Sequence, residues 1–173
     1  MSSRIRTSAI VVMIVGAWGG LVPFVGPLFG YQMGSVGAWA WTESHLTLHL
    51  LPGLAAIIGA ATMLSSAPSR ARLGALIALV GGLWFILGPV FRPAWADRGT
   101  DGMMMMGDSV WDEIFLSLGY HSGTAFVIIP LAAYALGALA NRTAAVSDDT
   151  RPVAPLGRTS TPVSRDRERA SVS

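Results

Sequence analysis

Residues 71–91, ARLGALIALVGGLWFILGPVF, decide the fold. Past Arg72 this stretch reaches Phe91 without a single charged residue. A helix rises about 1.5 Å per residue, so about 20 apolar residues cross a hydrocarbon core of about 30 Å. Three further stretches have the same character, and the spans are expected at about 8–30, 44–64, 71–91 and 118–140. The expected fold is therefore all-α: an integral membrane bundle of four transmembrane helices over residues 1–140, followed by a tail over 141–173.

Composition supports this reading. Of 173 residues, 52% are hydrophobic and 13% are charged, whereas a soluble domain carries about a quarter charged residues to cover its surface. All 12 basic residues are arginine, which we read as the mark of a GC-rich genome, with an actinobacterial source expected. The arginines lie at span ends and in the tail and form no basic face interleaved with aromatics, so nucleic acid is not an expected partner. The absence of cysteine excludes disulfides, thiolate metal sites and cysteine nucleophiles. Arg4 and Arg6 precede an apolar run as in a secretory signal, but the run continues past Gly16 to Pro23 and Phe29. That is longer than a signal core, so an uncleaved anchor is expected.

Charge placement gives a direction. Arg4 and Arg6 precede the first span, Arg70 and Arg72 separate the second from the third, and Arg142 opens the tail. The other two connections, 31–43 and 92–117, hold Arg92 and Arg98 against Glu43, Asp97, Asp101, Asp108, Asp112 and Glu113. Basic residues favour the cytoplasmic side, so both termini are expected in the cytoplasm of a bacterial plasma-membrane protein. Tyr31, Trp39, Trp41, Trp95, Trp111 and Tyr120 gather at the outer ends, where amphipathic rings favour the headgroup zone. The tail, rich in Ser, Thr, Pro, Arg and Asp, is expected to be a disordered cytoplasmic segment. Its Arg165, Arg167 and Arg169 could touch anionic lipid, although Asp166 and Glu168 interrupt them.

Lipid gives apolar helices no hydrophobic reason to associate, so small residues mark the expected contacts. They are Gly16, Gly19, Gly20 and Gly26 in the first span, and Gly53, Ala56 and Ala60 in the second. The third has Gly74, Ala78, Gly81, Gly82 and Gly88, and the fourth Gly119, Gly123 and Gly137. A stripe left unused within the bundle would suit a second copy or another membrane protein. Pro23, Pro27, Pro52, Pro89 and Pro130 fall inside spans, where each frees a carbonyl that needs another donor. Ordinary kinking is the simpler expectation, and an outer half splayed around a small cavity is the functional one.

The chain has three histidines, His45, His49 and His121, all expected at outer span ends. His45 and His49 are four apart and share a helix face with Pro52, Gly53, Ala56 and Ala60, so both imidazoles should point at neighbouring helices. Three imidazoles at one level could hold Zn or Cu(II), supported by Glu43, Asp112 or Glu113. His45 or His49 with His121 could instead serve as axial haem ligands. The bland reading is that the imidazoles bond to freed carbonyls or bridge helices, with no cofactor. Met103–Met106 offer soft thioethers for Cu(I), but four in succession do not project to one side, and a flexible apolar patch is the simpler expectation. No phosphate-binding glycine loop, serine–histidine–aspartate spacing or carboxylate pair in a recognisable glycosidase context is present, so an enzyme is not expected.

The segments Leu46-Thr-Leu-His49-Leu-Leu-Pro52-Gly53 and Gly82-Leu-Trp84-Phe-Ile-Leu-Gly88-Pro89 resemble parts of small actinobacterial four-span membrane proteins of uncharacterised function. One such family is similar in opening its second span with two histidines four apart and placing a histidine near its fourth. The likeness covers about residues 8–140 and implies fold and compartment, without assigning an activity. The leading expectation is a non-enzymatic accessory or envelope component acting through helix packing and an acidic outer loop. The alternatives are a metal- or haem-binding redox or transport component, and an oligomeric channel or small-solute carrier.

Overall fold

The computed structural model describes residues 2–32, 37–94 and 110–149, and among them every regular element is helical. Helix α1 (Ser3–Val25) is prolonged by a 3-10 turn over Gly26–Phe29. Gly30, at φ 77°, ends it in the left-handed region where glycine has no side chain to strain. A π turn (His45–Leu50) leads into α2 (Leu51–Met63), and a short connection leads to α3 (Pro68–Phe91). Helix α4 (Val110–Ser117) passes through a second π turn (Leu118–Ser122) into α5 (Gly123–Asp149). These elements form four rods, each containing a stretch long and apolar enough to cross a membrane: Ser3–Phe29, His45–Met63, Pro68–Phe91 and Ile114–Asn141.

The rods match the four expected spans in number and place, but the first, third and fourth are longer than expected. Helix α3 begins at Pro68, because a proline costs nothing in a first turn whose N–H has no intrahelical partner. The expected outer connection 92–117 is helical again from Val110, so His121 lies within a continuous rod and does not begin it. At the other end the apolar window closes at Asn141 but the helix continues to Asp149. Adding residues to an existing helix needs no new nucleus. Trp95, Asp97, Arg98, Asp101, Met103–Met106, Asp108 and the tail from 150, with its arginines, lie outside the described residues.

The rods pack as a square. Helix α1 lies against α2 and α5, α3 also lies against α2 and α5, and α2 faces α5 across the diagonal. Alternating direction puts Ser3 and the end of α5 at one end of the bundle and all three histidines at the other. At the terminal end, Arg72 donates from one guanidinium nitrogen to the Leu139 and Ala140 carbonyls, both at 3.0 Å, tying α3 to α5.

Small residues set how closely the rods approach, as the sequence suggested. A Cβ on Gly59 would stand 2.6 Å from the Gly74 carbonyl oxygen, and one on Gly53 would stand 2.8 Å from the Gly16 carbonyl oxygen. Gly123 and Gly137 are the exceptions. A Cβ on Gly123 would meet Leu118 of its own rod, and Gly137 is exposed with nothing within 4 Å of an added Cβ. The interior is mostly alanine and glycine, including Ala56, Ala60, Ala75, Ala78, Ala132 and Ala135. The large side chains Ile14, Val80, Val90 and Phe126 point outward, each more than 60% exposed. This inverts the pattern of a water-soluble bundle.

Gly59→Leu should therefore force α2 and α3 apart and cost about 1–3 kcal/mol. Gly137→Leu should leave stability unchanged. Denaturant titration of the two variants in detergent, followed by circular dichroism, checks the contrast.

Candidate functional site

The histidine end is built on backbone carbonyls that an α-helix would have satisfied. Proline at position 52 has no N–H, and in a regular helix its ring collides with the carbonyl four residues back. The chain widens instead into the first π turn, where the Leu51 N–H bonds the Leu46 carbonyl five residues back. In that register the donor due to the Thr47 carbonyl is the N–H that Pro52 lacks. The indole of Trp84, on α3, fills the vacancy, with Nε1 donating to the Thr47 carbonyl at 2.9 Å.

The second π turn is held in a similar way. The Gly123 N–H bonds the Leu118 carbonyl, again five residues back. The Gly119 carbonyl accepts from Trp18 Nε1 on α1 at 3.1 Å and from Thr124 Oγ1 at 3.3 Å. The Tyr31 hydroxyl donates to the Phe115 carbonyl at 2.6 Å, and a Cβ on Gly119 would collide with that hydroxyl. Burial pushes the Tyr31 phenol above its ordinary pKa, so it keeps the proton it donates. Tyr120 donates in turn to the Tyr31 carbonyl at 3.1 Å, joining the first loop to the fourth rod.

These turns bring two imidazoles to the bundle axis. His49 and His121 stand 4.6 Å apart between ring centroids, at a tilt of 41°. They come from rods on opposite corners, so they meet across the diagonal. Their pairing does not require the second and fourth rods to be neighbours. His49 is 4% exposed and is boxed in by Tyr120 at 5.5 Å, Phe85 at 6.4 Å and His45 at 6.4 Å. The expected face continues inward through Pro52, Gly53, Ala56 and Ala60, all of them buried.

His45 is partly buried one turn outward, and its Nδ1 lies 2.7 Å from the Ala40 carbonyl oxygen. A carbonyl only accepts, so Nδ1 carries the proton and Nε2 of the neutral ring keeps its lone pair. The loop that supplies Ala40 packs over this ring. Trp39, at φ 59°, donates its N–H to the Phe24 carbonyl at 3.1 Å. Phe24 in turn meets Trp41 at 5.1 Å and His45 at 5.5 Å. The left-handed backbone at a bulky residue is strain that these contacts hold in place.

His45 therefore does what the bland reading expected and bonds a carbonyl, and His49 bonds the Gly19 backbone through its other ring nitrogen. Among the described residues, His49 Nδ1 and His121 Nε2 are buried without a hydrogen-bond partner. The expected carboxylates are not brought to them. Glu43 and Asp112 are exposed, and the Glu113 side chain lies outside the described residues. No set of three metal-binding side chains converges among the described residues. Two imidazoles on opposite faces of one haem iron would stand about 6.4 Å apart between centroids, given iron–nitrogen distances of about 2 Å. His49 and His121 are too close together for a macrocycle between them. Below the pair the axis is filled by Phe85, Ala56 and Ile128, all fully buried, so these residues supply no polar path through a single bundle.

Sequence reasoning missed Trp18 and Trp84, whose indoles hold the two π turns. The available signal was a tryptophan inside an apolar span, with a proline on the facing rod. It also misplaced Tyr120, which is 3% exposed and belongs to the interior, whereas Trp39, Trp41 and Trp111 are exposed at this end as expected. The chain matches no family model, no curated protein and no solved structure.

Trp84→Phe should leave the Thr47 carbonyl without a donor and cost about 1–3 kcal/mol. In a Pro52→Ala background the restored amide N–H can take over, so the same substitution should cost clearly less. A double-mutant cycle by thermal or denaturant unfolding measures the difference.

Proposed function

We propose that this chain is a multi-pass protein of a bacterial plasma membrane, both termini cytoplasmic, acting as a non-enzymatic binding component through its outer histidine centre. The observation that carries the binding role is the meeting of His49 and His121 on the bundle axis, each with an unpartnered buried nitrogen. A buried polar atom left without a partner costs free energy that apolar packing does not return. A bundle held only for its packing would gain by placing leucine at these positions.

The membrane setting rests on the inverted surface, where large apolar side chains face outward over alanine and glycine. The direction rests on the arginines: Arg4, Arg6, Arg70 and Arg72 lie at the terminal end of the bundle, and Glu43 and Asp112 lie at the histidine end. The likeness of the Leu46–Gly53 and Gly82–Pro89 segments to small actinobacterial four-span proteins supports the same compartment. The bilayer is the immediate partner, and a second copy or another membrane protein fits the accessory role.

The chain has no cysteine, which makes the orientation simple to test. Trp39→Cys should react with a membrane-impermeant maleimide in intact cells. Arg70→Cys should react only after permeabilisation. The reverse pattern would overturn the orientation and with it an outward-facing centre.

A further inference from the structure

We propose that His49 and His121 together bind one transition-metal ion of the Zn(II) or Cu(II) kind, as two cis nitrogen ligands. The proposal rests on the histidine centre described above and names its ligand.

Geometry comes first. With metal–nitrogen distances of about 2.0–2.1 Å, two imidazoles on adjacent positions of one ion place their ring centroids about 4.5–5.2 Å apart. The observed separation is 4.6 Å. Each ring has one buried nitrogen without a partner, Nδ1 on His49 and Nε2 on His121. The hydrogen bond between His49 and the Gly19 backbone leaves Nδ1 unpartnered, and the Thr47 and Gly119 carbonyls are engaged by Trp84, Trp18 and Thr124. Both rings stand on π turns, a helix distortion found frequently at functional sites.

Donor chemistry then selects the ion. Neutral imidazoles without thiolates suit Zn(II) and Cu(II), and they do not suit Ca(II) or Mg(II), which need several oxygen ligands. No third metal-binding side chain converges among the described residues, so the protein supplies two positions and water or an exogenous ligand takes the others. Such a site holds its ion less firmly than a closed structural one, and it can release or exchange it. His45 lies one turn outward with its Nδ1 on the Ala40 carbonyl, the arrangement that orients an imidazole toward a metal. It is placed to meet an entering ion before His49 does.

The test uses the full chain in lipid nanodiscs, stripped with a chelator and titrated separately with Cu(II) and Zn(II) near neutral pH. We expect one ion per chain, with the Cu(II) electron paramagnetic resonance spectrum showing coupling to two imidazole nitrogens. His49→Gln or His121→Gln should each weaken binding at least about 100-fold, and His45→Gln about 10-fold. Circular dichroism and size-exclusion profiles confirm that each variant is folded. No stoichiometric binding, or binding that persists in the folded His49→Gln/His121→Gln double variant, overturns the proposal. A membrane-impermeant methanethiosulfonate applied to sealed cells carrying His49→Cys or His121→Cys separates the two levels. If either thiol is modified while the unsubstituted chain binds no metal, the metal proposal falls and an outward-facing centre stands. If neither thiol reacts and no metal binds, both fall.

Discussion

Every backbone carbonyl inside a hydrocarbon layer needs a donor from the protein itself, because no water is available to supply one. The histidine end of this bundle is arranged around that constraint. Pro52 withholds one N–H, the helix widens by one residue per turn, and the carbonyl left over on Thr47 is met by an indole from the adjacent rod. The Gly119 carbonyl in the second widened turn is met by an indole from α1. Because the donors come from neighbouring rods, the same bonds that satisfy the backbone fix how the rods are rotated. That rotation carries His49 and His121 to the axis.

The two ends of the bundle solve different problems. At the terminal end alanine and glycine let the rods approach closely around Ile5, Met63 and Leu139, and Arg72 bonds carbonyls of α5 from α3. At the histidine end the interior is aromatic and polar. Tyr120, Phe85 and the imidazoles fill the space that the π turns open. Tyr31 adds a hydroxyl bond to the fourth rod and stacks near Tyr120 at 5.5 Å, so the first loop is part of the site's wall. Small residues make the bundle tight, and the widened turns bring two imidazoles together at one end of it.

The number and position of the rods were legible, because a charge-free run of the required length has few other structures open to it. The inward face of His45 and His49 was legible too, since residues four apart stay aligned even in a π turn, and Pro52, Gly53, Ala56 and Ala60 continue that face in the fold. The meeting with His121 was expected from their common depth, but the arrangement of rods that brings it about was not legible. Which rods lie on a diagonal depends on pairwise packing that hydropathy does not encode. Tyr120 was read as interfacial from its amphipathic ring, but its hydroxyl finds the Tyr31 carbonyl, which lets the ring be buried. Gly137 was read as packing because glycine often is, yet nothing faces it. The helix over 110–117 was hidden by Asp112 and Glu113, which interrupt the apolar pattern without preventing a helix.

The claim most open to direct measurement is that the second and fourth rods present their histidines to each other across the bundle axis. The chain has only three histidines, so histidine-selective 13C and 15N labelling gives a nearly unambiguous solid-state NMR spectrum in lipid. The account predicts through-space cross-peaks between the ring carbons of His49 and His121, stronger than those between His45 and His49. A spectrum in which His49 correlates with His45 and shows no contact with His121 would contradict it.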